Sequence, residues 1–251
     1  SMLAAHRVTG TDITFAIPRK NWTSGTVYDE YDSHSSTYFN SNFYVNVAQP
    51  GNTFNVYKVM FNNRGAASTV EPSGTSTSTI STSDGYRWKF MYSITEAEAL
   101  KFVSSDFIPV KTLTSDDSSV QFDVQQAASN NAIEVIDVTA NGTGYVSRTN
   151  TLSAVSNATF ISLDSSASEV DNAFAGGSLF ISAGQGSGQI ANIISYNATT
   201  KAVTLSAGLS VVPNTSSTFH VGPRIIITGD GSGAKAYANV INGQVTSINM
   251  I

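Results

Sequence analysis

The sequence predicts a mainly β fold with a few short helices, arranged as β-sandwich or small-barrel-like units in two β-rich domains. Three observations carry this expectation. Apolar and polar residues alternate over short runs, most clearly in Tyr86-Arg87-Trp88-Lys89-Phe90-Met91-Tyr92-Ser93-Ile94, and such alternation is the period of a strand. Clusters of Gly, Pro, Asn and Ser interrupt those runs, as turns do. Finally, a unit of strand, glycine loop and hairpin occurs twice: Gly184-Gln185-Gly186-Ser187-Gly188 with Asn197 returns as Gly229-Asp230-Gly231-Ser232-Gly233 with Asn242, displaced by 45 positions (184 to 229, 197 to 242).

In chain order, Asp12 to Ile17 reads as a strand stopped by Pro18, followed by the turn Asn21-Trp22-Thr23-Ser24-Gly25. The aromatic and acidic stretch Thr26 to Asp32 lacks the ligand spacing and turn glycine of a calcium loop, so it reads as an irregular loop anchored by Tyr28 and Tyr31. Phe43 to Val47 and Phe54 to Phe61 read as strand partners joined at Pro50-Gly51. A Ser/Thr-rich connector runs from Ala66 to Ser83. In the strand that follows, Tyr86, Trp88, Phe90, Tyr92 and Ile94 are expected on one buried face. Thr95 and Glu98 then form a capping box opening a helix near 95–103, with Leu100, Phe102 and Val103 on its apolar side.

A composition shift after Thr114 places a boundary between a first domain, 1–114, and a Gly/Ser/Thr-rich second domain, 115–251. Val120 to Val124 and Ala132 to Thr139 alternate as strands, and Ser168 to Phe174 has the pattern of a helical turn or two before Gly176-Gly177. The repeat occupies 178–206 and 224–251, each copy opening on an apolar strand, Ser178 to Ser182 or Arg224 to Thr228. Two copies are too few for a solenoid, so paired sheets or a small barrel are expected. The last strand ends at Ile251 with no turn residue, which leads us to expect that the native chain continues.

Charged residues make up only 12% of the 251, so solubility rests on hydroxyls and amides, and the net charge of −5 disfavours nucleic acid and anionic membranes as partners. With no cysteine, disulfides, thiolate metal sites and thiol catalysis are excluded. No apolar run approaches the ~20 residues of a membrane helix.

Several separated motifs occur in one order: Ala4-Ala5-His6-Arg7-Val8; Ile17-Pro18-Arg19; Trp22-Thr23-Ser24-Gly25-Thr26-Val27-Tyr28-Asp29 with Tyr31-Asp32; Asn55-Val56-Tyr57-Lys58; Asn62-Asn63; Ser68 to Thr75; Asp84 to Tyr92; and Asp106 to Leu113. This set resembles the baseplate wedge subunits of T-even-like contractile-tailed bacteriophages, the gene-product-eight type, over about residues 3 to 113. The resemblance implies a non-enzymatic, dimeric structural component of the virion tail baseplate, assembled in the host cytoplasm and bound to neighbouring wedge proteins. Family members carry sequence before the Ala-Ala-His-Arg-Val motif, so an N-terminal portion is expected to be missing here.

Catalytic signatures are thin. His6, His34 and His220 are far apart in sequence, Asp84, Asp106, Asp123 and Asp137 form no motif, and no Gly-x-Ser-x-Gly elbow or metalloprotease helix occurs. The glycine loops lack the Gly-Lys-Ser/Thr of a phosphate loop and the acid count of a calcium repeat. No catalytic, cofactor or metal residues are therefore assigned. The expected function is assembly through broad surfaces, with Trp22, Tyr28, Tyr31 and the outward side of the Tyr86–Ile94 strand as candidate interface anchors. The alternative is a carbohydrate-binding or adhesin-like β module of a phage tail.

Overall fold

The computed structural model describes residues 9–32, 40–128 and 132–251. The protein is mainly β, and its chain divides into two compact units, 1–131 and 132–251.

In the first unit, β1 (Ala16–Pro18) is a short edge strand and is followed by β2 (Tyr44–Gln49), β3 (Thr53–Phe61), β4 (Ile80–Ser81) and β5 (Arg87–Ile94). These four later strands form an antiparallel sheet in the order β2-β3-β5-β4. The β2–β3 hairpin closes over Pro50, Gly51 and Asn52, the last two at φ 78° and 57°, which glycine and asparagine tolerate best. The helix α1 (Glu96–Phe102) carries the expected capping box, with Thr95 N donating to Glu98 Oε2 at 2.8 Å and Glu98 N to Thr95 Oγ1 at 3.3 Å. Then β6 (Phe107–Pro109) pairs antiparallel with β1, and α2 (Val120–Ala127) ends the unit.

The aromatic stripe of β5 is buried throughout but does not lie on one face. Its register runs from Val56 opposite Tyr92 to Tyr57 opposite Phe90, so Met91 is skipped in a bulge. Adjacent residues of β3 point to opposite faces, and directly paired residues share a face, so Phe90 and Tyr92 point apart. One core accordingly gathers Tyr86, Trp88 and Phe90 with Val45, Tyr57 and Val59; the other gathers Tyr92 and Ile94 with Tyr44, Val56, Ala99 and Ile108. The bulge turns one apolar stripe into two cores, and both faces of the sheet are covered.

Three expectations are corrected here. The first strand is confined to Ala16–Pro18, with a 3-10 turn at Gly10–Asp12 before it. Leu100 is 76% exposed, because the short helix turns Ala99, one residue earlier, towards Ile94 and Ile108. Val120 to Val124 is helical: Ser119 caps it through Phe122 N, and the buried pair Gln121 and Val124 has helical spacing. Val124 joins the Trp88 core, and this helix belongs to the first compact unit.

The second unit contains β7 (Arg148–Thr151), β8 (Ala154–Val155), β9 (Phe160–Ser162), β10 (Gly177–Ala183), β11 (Ile190–Asn197), β12 (Ala202–Leu205), β13 (Thr218–Pro223), β14 (Ala236–Ile241) and β15 (Gln244–Met250). Seven strands form one antiparallel sheet in the order β7-β13-β10-β11-β12-β9-β8. Its two ends, β7 and β8, are separated in the chain only by Leu152 and Ser153. One bent strand thus pairs with β13 through its first half and with β9 through its second, and the sheet closes on itself. Leu152, Ile161, Leu179, Ile181, Ile193, Val203, Phe219 and Val221 fill the interior. Arg148 Nε donates to Asp164 Oδ2 at 2.6 Å and Nη2 to Oδ1, a two-point grip that holds Asp164 at a pKa of about 2.

The remaining strands, β14 and β15, form a separate hairpin. It packs on the outside of the closed sheet, where the Tyr237 ring stacks on Phe180 at 4.6 Å and lies 5.0 Å from His220. His220 Nε2 donates to Ala238 O at 2.8 Å, leaving Nδ1 to accept from Thr149 Oγ1 at 2.9 Å. Burial pushes this imidazole below its ordinary value, and the bond to Ala238 offsets that only in part. An unfolded histidine therefore binds a proton that the folded one refuses. Stability from this site is present above pH 6.5 and is lost as pH falls towards the depressed value. Thermal melts between about pH 7.5 and 5.5 are expected to show this slope in wild type and a flatter one in His220→Gln.

Other strand expectations fail locally. Arg224 to Thr228 is irregular even though it is rich in β-branched residues, and Ala132 to Thr139 contributes only one bridge, Ile136 to Ile248. Ser168 to Phe174 forms turns rather than a helix. The two repeat copies thus share a glycine loop and a hairpin but not the leading strand.

Candidate functional site

Four of the first unit's motifs, Trp22 to Asp29, Asn62-Asn63, Ser68 to Thr75 and Asp84 to Tyr92, meet around one carboxylate. Asp84 lies in the turn between β4 and β5, where Gly85 has φ +86° and an added Cβ would stand 2.7 Å from the Asn63 side chain. Asp84 Oδ2 accepts from Thr69 N at 2.8 Å, Val70 N at 2.9 Å and Ser68 Oγ at 3.1 Å. Its Oδ1 accepts from Thr82 Oγ1 and, at 3.3 Å, from Tyr86 N. Ser68, fully buried, in turn accepts from Trp22 Nε1 at 3.1 Å.

A second chain of contacts starts at Tyr86. Its hydroxyl accepts from Tyr28 N at 3.2 Å and donates to Ala66 O at 2.5 Å. Tyr28 O accepts from Asn62 Nδ2 at 3.0 Å, its hydroxyl accepts from Thr23 N at 2.7 Å, and its ring meets Trp88 edge-on at 5.7 Å. Trp22, Thr23, Tyr28, Asn62, Asn63, Ser68 to Val70, and Asp84 to Trp88 therefore form one interlocked cluster.

Its electrostatics are those of a structural node. Burial alone raises the Asp84 pKa, but the bonds from Thr82 and from the Val70, Thr69 and Tyr86 amides outweigh this and bring it to about 2. An acid this strong, with both oxygens occupied by donors, makes a poor proton acceptor for a reaction. His220, with both nitrogens engaged, is similarly committed.

Comparison of the chain with family models, curated proteins and solved structures found no match.

Of the candidate anchors, Tyr28 is 3% exposed and belongs to the Trp88 core, which corrects its assignment to an interface. Trp22 is half-buried against the same core, fixed by its bond to Ser68. Tyr31 is 38% exposed, with its ring 5.3 Å from Phe43 and Lys58 Nζ 4.0 Å from the ring centre. Arg87, Lys89, Met91 and Ser93 of β5 are half-buried, and the bulge at Met91 leaves the strand no single outward side. Acidic residues of the Thr26–Asp32 stretch fasten loops: Asp29 Oδ2 accepts from Asn42 N at 2.7 Å, and Glu30 Oε1 from Asn62 N at 3.0 Å. Among the described residues no cluster of acids and imidazoles fit for a metal occurs, and no helix is long and apolar enough to cross a membrane. His6 and His34, and the Ala4 to Val8 motif, lie outside the described residues.

Sequence reasoning missed a set of exposed apolar side chains around β1, α1 and β6. Ile13 is 66%, Phe15 86%, Leu100 76% and Phe107 50% exposed. The segment carrying Ile13 and Phe15 is held in place by Lys101 Nζ on Asp12 Oδ1 at 2.7 Å and by Val110 N on Phe15 O at 2.8 Å. The only signal was negative: Phe15 and Leu100 sit in strand-like and helix-like patterns that predict burial.

Proposed function

We propose that the protein is a structural subunit of a contractile phage-tail baseplate, acting by self-association and by contacts with neighbouring wedge proteins, without chemistry of its own. The ordered motifs that resemble baseplate wedge subunits supply the starting point, and four of them form the brace around Asp84. The observation that carries the reading furthest is the exposure of Ile13, Phe15, Leu100 and Phe107 on segments that the same unit ties down through an ion pair and backbone hydrogen bonds. Large apolar side chains fixed in solvent are characteristic of a surface that is covered on assembly. The occupant we assign to it is a second copy of the chain.

Light scattering on a sizing column tests this. Wild type is expected to elute with the mass of two chains, and Phe15→Glu with Leu100→Glu as a monomer of unchanged melting temperature, since neither side chain is in a core. A wild-type monomer at about 100 μM, a concentration at which even weak obligate contacts populate the dimer, would count against the reading. A monomer that binds a defined sugar on a glycan array would instead favour the adhesin-like module.

A further inference from the structure

The second unit holds a cleft of about 300 Å³ between the outer face of the closed sheet and the segment leading from β13 to β14. Its floor is formed by Ser178 and Asn192, direct cross-strand partners on β10 and β11, and Ser206 stands at its side. Arg224, Ile227 and Lys235 line it from the β13–β14 segment. The lining contains two cations and no carboxylate, in a chain whose net charge is −5.

Three further observations point to a ligand. Among the described residues the side chains of Arg224 and Lys235 have no ion-pair or hydrogen-bond partner, and both residues are exposed. Ser178 lines the cleft and its hydroxyl bonds to no described residue, so this group is open to a ligand there. The two copies of the glycine repeat also differ. In the first, Gly188 N donates to Ile181 O at 2.9 Å, and Gln185 and Gln189 Nε2 donate to Val212 and Val211 carbonyls at 2.8 Å, so the loop is internally closed. In the second, the amides of 229–234 donate to no described residue. The same motif is sealed in one copy and left with open donors beside two cations in the other.

We propose that this cleft binds a small oxyanion, a phosphate or carboxylate group carried on a sugar-sized molecule. Arg224 and Lys235 supply the charge, Ser178 and Asn192 supply neutral hydrogen bonds that fix orientation, and the volume matches the lower end of small-molecule sites, about 300 Å³. The inference does not depend on self-association of the first unit.

The test is a titration of the full chain, followed by amide NMR shifts, with inorganic phosphate, glucuronate and neutral glucose as separate probes. Saturable shifts at Ser178, Asn192 and 224–236 are expected with phosphate, with glucuronate or with both, weakening as salt rises from about 50 to 500 mM. Response to phosphate alone assigns a phosphate ligand, and response to glucuronate alone assigns a sugar acid. Arg224→Ala with Lys235→Ala should weaken binding tenfold or more, and Ser178→Ala severalfold. The two cations are exposed, so the double variant keeps its fold even if Ser178→Ala does not. No saturable shift with either anion, equal shifts with glucose, or binding retained in the double variant would overturn the proposal.

Discussion

Trp88→Ala is expected to destabilise the first unit by about 3–5 kcal/mol, the range for truncating a large aromatic in a core that cannot collapse around the loss. Trp88 is fully buried, stacks on Tyr86 at 5.3 Å and meets Tyr28 at 5.7 Å. The same geometry predicts a contrast. Trp88 Nε1 is buried with no hydrogen-bond partner among the described residues, so its polar group contributes nothing that a smaller aromatic would lose. Trp88→Phe should therefore be far milder than Trp88→Ala, with a difference of about 2 kcal/mol or more between them. Urea unfolding followed by far-UV circular dichroism, with hydrogen exchange of β3 and β5 as the local readout, checks both; equal losses would mean that the core does not depend on aromatic packing.

The second large effect is at Asp84. Replacing it with Asn keeps the shape but turns one acceptor oxygen into a donor, and whichever way the amide lies it faces at least two of the five groups that now donate to the carboxylate. The expected cost is about 2–4 kcal/mol. Both tryptophans of the chain, Trp22 and Trp88, lie in the cluster that Asp84 braces, so intrinsic fluorescence during urea unfolding reports this unit selectively. The pKa adds a second signature. Lowered from 3.8 to about 2, it gives a stabilisation that is complete above pH 3.8 and is lost as pH falls through 2. Asp84→Asn should remove that component of acid sensitivity.

What was legible in the sequence depended on how local its cause is. The capping box at Thr95 and Glu98, the Pro50-Gly51 hairpin and the burial of the Tyr86–Ile94 stripe all rest on neighbours within a few positions. Strand alternation, however, says only that a residue is buried, and not against what: the bulge at Met91 that sends Phe90 and Tyr92 to opposite cores is decided by the register of β3, thirty-odd residues away in sequence. Val120 to Val124 alternates over too short a span to distinguish a strand from one face of a helix, and the Ser119 cap decides it. Arg224 to Thr228 has strong β propensity but no partner strand among the described residues, and propensity alone makes no ladder. Tyr28 is core because Tyr86 and Trp88 close over it, whereas Phe15 and Leu100 are apolar yet exposed. Candidate interface residues could not be told from core by type, because both are chosen for apolar area. The cleft at Arg224 and Lys235 was hidden for a related reason, since its walls come from segments far apart in the chain.

The central proposal is that the first unit works through the apolar side chains exposed on 9–18, α1 and β6. Amide hydrogen exchange of the full chain at about 1 μM and again at about 100 μM tests it most directly, since a dimer of micromolar affinity changes population across that range. The account predicts added protection at the higher concentration confined to residues 9–18 and 96–109. Identical exchange at both concentrations, or protection confined to other segments, would contradict it.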